Sequence, residues 1–219
     1  MIQQITFASF DLMGLVAVIG ISYNLAKSYK DIDPLLASLV AMCGFFLTIP
    51  FTMHKDGTFW IPLAQLGSTG LFIAIIIGLF LTDFYVWMIH KHITIKMPAS
   101  VPPAVSNSFT ALFPGFFCLL LVWIVRLVIS FTPIETIPNL MQFIFKPISA
   151  VGTSLPGALL CEFLISFLWL FGVHGANVVS GIMMAFWLQA MQQNAAAFAA
   201  HKALPHIVTQ QFFDNFVHI

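Results

Sequence analysis

The chain is organised as long apolar runs separated by short polar breaks. Five stretches approach the roughly 20 mostly apolar residues that a helix needs to cross a bilayer: about Ile5 to Ala26, Pro34 to Thr52, Gly70 to Ile89, Ala111 to Ser130, and a fifth from Gly157 through FLWLFG. The segment GANVVSGIMMAFWLQAM that follows is apolar again. Three forms are therefore open for the fifth region: a longer helix, a bent one, or two elements. The runs are continuously apolar, whereas barrel strands alternate over about ten residues. The expected fold class is all-α, a polytopic helical membrane protein of about five to six spans with interfacial amphipathic helices.

The breaks carry their own signals. KMPASVPPAVSNSF contains Pro98, Pro102 and Pro103, so it cannot be one uninterrupted helix. Ser100 suits a cap there, with a helix starting at Pro102 or Pro103. PNLMQFIFKP places Leu140, Met141 and Ile144 on one helical face, as a short amphipathic helix at the interface would. Next to it, SAVGTSLPG is rich in turn formers. A boundary there divides the chain into residues 1–150 and 151–219. No strong internal repeat is visible.

Composition agrees with lipid as the solvent. Apolar residues make up 60% of the chain and charged residues 7%, against about 25% charged in a soluble domain. The 24 Phe, 5 Trp and 10 Met suit helices that meet acyl chains and one another. Net charge is formally zero, so no nucleic acid or other polyanion is implied as a partner. Cys43, Cys118 and Cys161 are widely spaced in apolar runs, without a CxxC pair, and are expected to be buried structural thiols. MIQQITFASFDLMG lacks a cationic n-region and makes a poor secretory signal. It enters an apolar run almost at once, as though an upstream part were missing. If the spans alternate, Lys27, Lys30, Lys91 and Lys96 fall on one side, and Lys55, Lys146 and Arg126 on the other. The positive-inside rule then places the Lys27 and Lys91 loops in the cytoplasm by a narrow margin.

Ionisable groups within spans cost a few kcal/mol or more, so each needs a reason. Asp11, Asp83 and Arg126 lie near predicted span ends, where snorkelling or an interfacial partner suffices. Glu162 sits deeper, and three readings stay open for it: protonated, helix-paired or substrate-facing. His174 lies in WLFGVHGANVVSG between Gly172 and Gly175, with Asn177 following. The glycines weaken a helix and admit close approach of a ligand or another backbone. His and Asn supply donors and acceptors for hydroxyl groups, and Trp169 and Phe171 are near enough in sequence to offer flat apolar faces. A sugar site and a histidine bonded to a neighbouring helix both fit that chemistry. In PHIVTQQFFDNFVHI, the residues His206, Gln210, Asp214 and His218 recur every four positions. On a helix they form one stripe, which is either a wet face or the lining of a polar cavity. No HExxH or GxxxxGK string is present, and His90 and His92 point to opposite sides of a helix.

Several of these strings, in order, resemble one family. KMPASVPPAVSNSFTALFPG, SLPGALL, WLFGVHGANVVSGIM and LPHIVTQQFFDNF are similar to the enzyme IIC sugar permeases of the bacterial phosphotransferase system, in the lactose/cellobiose/diacetylchitobiose group. YNLAKSY and LGSTGLFIAII extend the resemblance toward the start. It implies a multi-pass protein of the bacterial cell membrane that takes a disaccharide from outside and presents it on the cytoplasmic side. There enzyme IIB transfers phosphate from its cysteine to the sugar's 6-hydroxyl. It further implies a homodimer, with residues 1–150 as scaffold and dimer-interface part and 151–219 as the beginning of the sugar-binding part. No metal or organic cofactor is implied, and the chain is not an enzyme on its own. His174 matches the family's GxHG histidine, which contacts the sugar near the hydroxyl to be phosphorylated and so takes the catalytic role. Gly175 and Asn177 fall in the same matched segment as substrate-binding candidates.

The family pattern also has an earlier span and, further on, re-entrant hairpins and an Asn-Glu-Pro motif whose glutamate works beside the histidine. This sequence contains no such motif. The expectation is an internal fragment holding half of a site. Rival expectations are a non-transporting remnant or dimerisation module, and an unrelated channel or secondary carrier.

Overall fold

The computed structural model describes residues 10–53, 56–94, 103–171 and 175–212. They form helices α1 (Met13–Lys27), α2 (Pro34–Thr48), α3 (Leu71–His90), α4 (Pro103–Ser130), α5 (Ile137–Gly152), α6 (Leu155–Leu170) and α7 (Gly175–Ala199). The fold is all-α, with one small addition. Between α2 and α3, β1 (Thr52–Met53) and β2 (Phe59–Trp60) pair as an exposed antiparallel hairpin, Thr52 opposite Trp60. Two compact units are present, Met1–Met141 and Gln142–Ile219, and the division falls inside α5.

Local chemistry sets where each helix starts and stops. The Asp33 carboxylate accepts from the backbone N–H groups of Leu35 and Leu36, and Pro34 occupies the first helical position of α2. That helix ends at Thr48 rather than running on to Thr52, because Ile49 precedes Pro50 and is extended. The fourth apolar run belongs to a longer helix than its hydropathy suggests: α4 begins at Pro103 and continues through the buried Pro114. The amphipathic segment around Met141 likewise runs on as a helix to Gly152, so the turn before α6 is confined to Thr153 and Ser154.

Among the described residues, Leu71–His90 and Ala111–Ser130 are the two stretches long and apolar enough to cross a bilayer by themselves. At 15 residues each, α1 and α2 rise about 22 Å, short of a hydrocarbon core of about 30 Å.

In the first unit, α1, α2 and α3 pack together around two clusters. One gathers Ala26, Ala37, Leu81, Tyr85 and Cys118, and the other Val18, Ala41, Phe45, Ile49, Ile73 and Ala74. Both clusters set alanines among larger aliphatic and aromatic side chains, and because lipid offers no hydrophobic drive for helix association, the small residues are what allow close packing. Gly14 shows the limit. A Cβ there would lie 2.8 Å from the carbonyl oxygens of Leu66 and Gly67. The close approach serves the helix start: α1 has no side-chain cap, and the Leu66 carbonyl accepts from Leu15 N–H at 3.1 Å instead. Deeper in, the fully buried hydroxyls of Ser22 and Thr82 join α1 to α3 at 2.6 Å.

The turn after α1 and the end of α3 lie at one end of this unit. His90 is 6.0 Å from the Tyr29 ring and 3.9 Å from the Asp31 carboxylate. Asp83 accepts from the Tyr29 hydroxyl at 3.3 Å, and its charge raises the phenol's pKa. At the other end, Arg126 Nη1 donates to the Leu47 carbonyl at 3.0 Å and lies 5.8 Å from the Phe51 ring centroid. One expectation is corrected. Cys118 and Cys161 are buried, but Cys43 is exposed, because it lies on α2 away from the face that Ala37, Ala41 and Phe45 present to the core.

The Ser22–Thr82 bond makes a prediction. Thr82→Val is expected to lower unfolding stability in detergent by about 0.6–1.7 kcal/mol, the range for hydroxyl bonds between membrane helices. Adding Ser22→Ala is expected to recover part of that loss, since no hydroxyl is then left unpaired. Strictly additive losses in the double mutant would show that the pair does not couple.

Candidate functional site

The second unit is built on an antiparallel pair. Ser154 caps α6 by accepting from Gly157 N–H, with Pro156 in the first turn. The buried face of α6 carries Gly157, Ala158, Cys161 and Ile165; the last three pack with Val179 and Trp187 of α7. Trp187 Nε1 donates to the Gly152 carbonyl at 3.3 Å, tying the middle of α7 to the end of α5. The segment after α7 returns over this pair. Asn194 holds the backbone of His206 from both sides, donating to its carbonyl at 2.7 Å and accepting from its N–H at 3.0 Å, and Val208 is buried beside Trp187.

The apolar region from Gly157 onward is thus two helices, not one long or bent helix. Helix α6 stops at Leu170, and the Phe171 N–H bonds back to the Leu168 carbonyl. His174 lies outside the described residues, and so does the side chain of Asn177, whose backbone is in the first turn of α7. Gly175 is described. It is buried against α6, where a Cβ would fall on the Ile165 carbonyl oxygen and lie 2.8 Å from Ile165 Cα. Backbone meets backbone at this crossing, which is sufficient reason for glycine there.

The crossing also places Glu162. Ile165 lies against Gly175, and Cys161 shares a cluster with Val179, so Glu162 is level with the first turn of α7. Its Oε2 atom is enclosed and has no hydrogen-bond partner among the described residues. On one straight helix, Glu162 and His174 would be about a third of a revolution out of phase. The break between α6 and α7 removes that phase relation. An enclosed acceptor without a donor is costly.

Two further placements differ from what spacing alone suggested. The four-residue stripe in the tail does not form as a unit: His206 lies in the non-helical return segment, clamped by Asn194 and hydrogen-bonded to Gln193, and a helical turn begins only at Gln210. Pro205 precedes His206 and contributes no N–H to a helix there. Asp214 and His218 lie outside the described residues. The aromatic surface near the break is also more extensive than Trp169 and Phe171. Phe163, Phe167 and Phe171 form an exposed ladder along α6, with ring centroids 5.9 and 5.1 Å apart. Its signal was the i, i+4 spacing of the three phenylalanines.

These features define a helical membrane protein whose apolar helices α6 and α7 pack as an antiparallel pair. The sequence matches the family described as Phosphotransferase system, EIIC over residues 1–219, and the chain belongs to that family. It is 44% identical to the putative permease IIC component YwbA of Bacillus subtilis (strain 168), over 97% of this chain and 50% of the relative. It is 39% identical to the cellobiose-specific EIIC component of Geobacillus stearothermophilus, over 97% of this chain and 49% of the relative. Among solved structures, it is similar to the transporter ChbC, the IIC component of the N,N'-diacetylchitobiose-specific phosphotransferase system. That similarity has a TM-score of 0.86 and 39% identity, over 97% of this chain and 51% of ChbC. The chain thus spans about half the length of the relatives it matches.

The Gly175 crossing yields a stability test. Gly175→Ala has to push α6 and α7 apart, and is expected to cost about 1–3 kcal/mol, as overpacking does. Thermal unfolding of the purified chain in detergent measures it. An unchanged midpoint would mean that the two backbones do not touch there.

Proposed function

We propose that this chain serves a membrane permease (enzyme IIC) of a phosphoenolpyruvate-dependent sugar phosphotransferase system, one that translocates a cellobiose-, lactose- or diacetylchitobiose-like disaccharide for phosphorylation by enzyme IIB. The observation that carries this is the family match along the whole chain. On this reading residues 1–150 supply scaffold and homodimer interface, and residues 151–219 begin the sugar-binding part. The two compact units give such a partition a physical basis, although they divide within α5. The protein is multi-pass in a bacterial plasma membrane, with the Lys27, Lys30 and Lys91 turns facing the cytoplasm.

In this mechanism His174 positions and polarises the sugar hydroxyl that receives phosphate, and can relay its proton. Asn177 and the Gly175 region hold neighbouring hydroxyls, and the enclosed Glu162 oxygen, level with the first turn of α7, supports the reading of a further acceptor. The phosphoryl transfer itself belongs to enzyme IIB, so the chain contributes binding and orientation.

Titration calorimetry of the detergent-purified chain with cellobiose, lactose and diacetylchitobiose tests the reading. Binding of at least one disaccharide is expected, with His174→Ala weakening it at least tenfold. Supplying phosphorylated enzyme IIB is then expected to leave phosphate on the bound sugar. No binding by the wild-type chain at any concentration would favour a non-transporting membrane module. Sugar flux in vesicles that does not depend on phosphorylated enzyme IIB would favour a carrier of another class.

A further inference from the structure

The first unit contains a cavity of about 230 Å³ between α3, α4 and the start of α5, lined by Ile73, Ile77, Phe80, Val122, Val125 and Leu140 among others. Thr48 is the polar residue among its lining side chains, and that hydroxyl is already bonded to the Phe45 carbonyl. The cavity is not sealed, since its lining residues Phe80, Leu121 and Val125 are also exposed on the surface. A smaller apolar cavity of about 150 Å³ stays dry and takes up a benzene molecule. In a protein surrounded by acyl chains, an open cavity of this size and character is filled by one of them, because unfilled walls forgo dispersion contacts.

What distinguishes the place is a cation beside it. Arg126 follows Val125 on α4, and its guanidinium rests on the carbonyl of Leu47, the neighbour of Thr48, so it flanks the cavity from the α2 side. Among the described residues no carboxylate lies within ion-pair distance of it; its partners are that carbonyl and the Phe51 ring. A guanidinium has five donors, so most are available to an anion. Arg126 stands one turn from the end of α4 at Ser130, where a phosphate of the adjacent leaflet comes within reach of a snorkelling side chain.

We propose that this groove is a binding site for one anionic phospholipid, with an acyl chain in the α3–α4 cavity and the phosphate on Arg126. Arginine binds phosphate through paired donors, which gives the site a preference that an apolar groove alone lacks. The lipid belongs to the leaflet on the side of the β1–β2 hairpin, since the end of α2, the start of α3 and the end of α4 meet there. A second copy of this chain is the competing occupant, and the neutral net charge of the chain offers Arg126 less than a lipid phosphate does.

Native mass spectrometry of the detergent-purified chain, titrated with phosphatidylglycerol and phosphatidylcholine of matched acyl chains, tests this. The wild-type chain is expected to retain one phosphatidylglycerol with at least tenfold preference. Arg126→Gln is expected to bring the two lipids level, Arg126→Lys to keep part of the preference, and Val125→Trp, which fills the cavity, to weaken both together. Equal retention of the two lipids by the wild-type chain would overturn the site, and that arm stands even where Arg126→Gln does not fold. An unchanged preference in a folded Arg126→Gln, or undiminished binding in Val125→Trp, would overturn it as well. So would a lipid-free dimer that cross-links through Val125→Cys, which would assign the groove to a second copy.

Discussion

A backbone amide that enters hydrocarbon has no water to bond, so it must find its partner within the protein. That constraint organises this molecule more than any single side chain does. It makes the fold helical, and it makes each helix end a place that needs a specific solution. Asp33 and Ser154 solve it with side-chain caps. The Leu66 carbonyl solves it for α1, which lacks such a cap. Asn194 solves it beyond α7 by standing in for backbone on both sides of His206. The devices at Asp33, Ser154 and Asn194 use side chains far less apolar than the helices they serve, and the one at Leu66 uses backbone alone.

The same solvent removes the usual force that draws apolar helices together, and surface fit takes its place. The closest approaches are therefore made by the smallest residues: Gly14 against the Leu66–Gly67 carbonyls, Gly175 against Ile165, and the alanines between α1, α2 and α3. The Ser22–Thr82 bond adds direction to that packing. The Gly175 contact is what lets α7 start directly beside α6.

Several features were legible from residue pattern alone. The continuous apolar runs implied helices, and α3 lies within a residue of the expected Gly70 to Ile89. Pro103 marked the start of α4, and the amphipathic run around Met141 is helical. Other limits were misjudged because hydropathy does not register backbone geometry. Apolar residues continue past Thr48, yet Pro50 forces Ile49 out of the helix. Turn-forming residues in SAVGTSLPG suggested a boundary, but Ser149 to Gly152 extend α5 and Leu155 to Gly157 open α6, because propensity is weak where packing supports the helix. The exposed Cys43 shows that an apolar run does not say which of its faces is buried.

Composition and the spacing of apolar runs determined by themselves that this is a helical membrane protein, since both follow directly from the solvent and the helix repeat. The ordered strings likewise identified its family, and the GVHG segment as the place to look for sugar chemistry. Only the tertiary structure decided what lies beside what. It split the last apolar region into an antiparallel pair, brought Glu162 level with the first turn of α7, and withdrew His206 from any helical stripe. It also put Arg126 beside an apolar cavity made by residues from four helices. These facts depend on distant segments meeting, and periodicity along one segment contains no information about its neighbours.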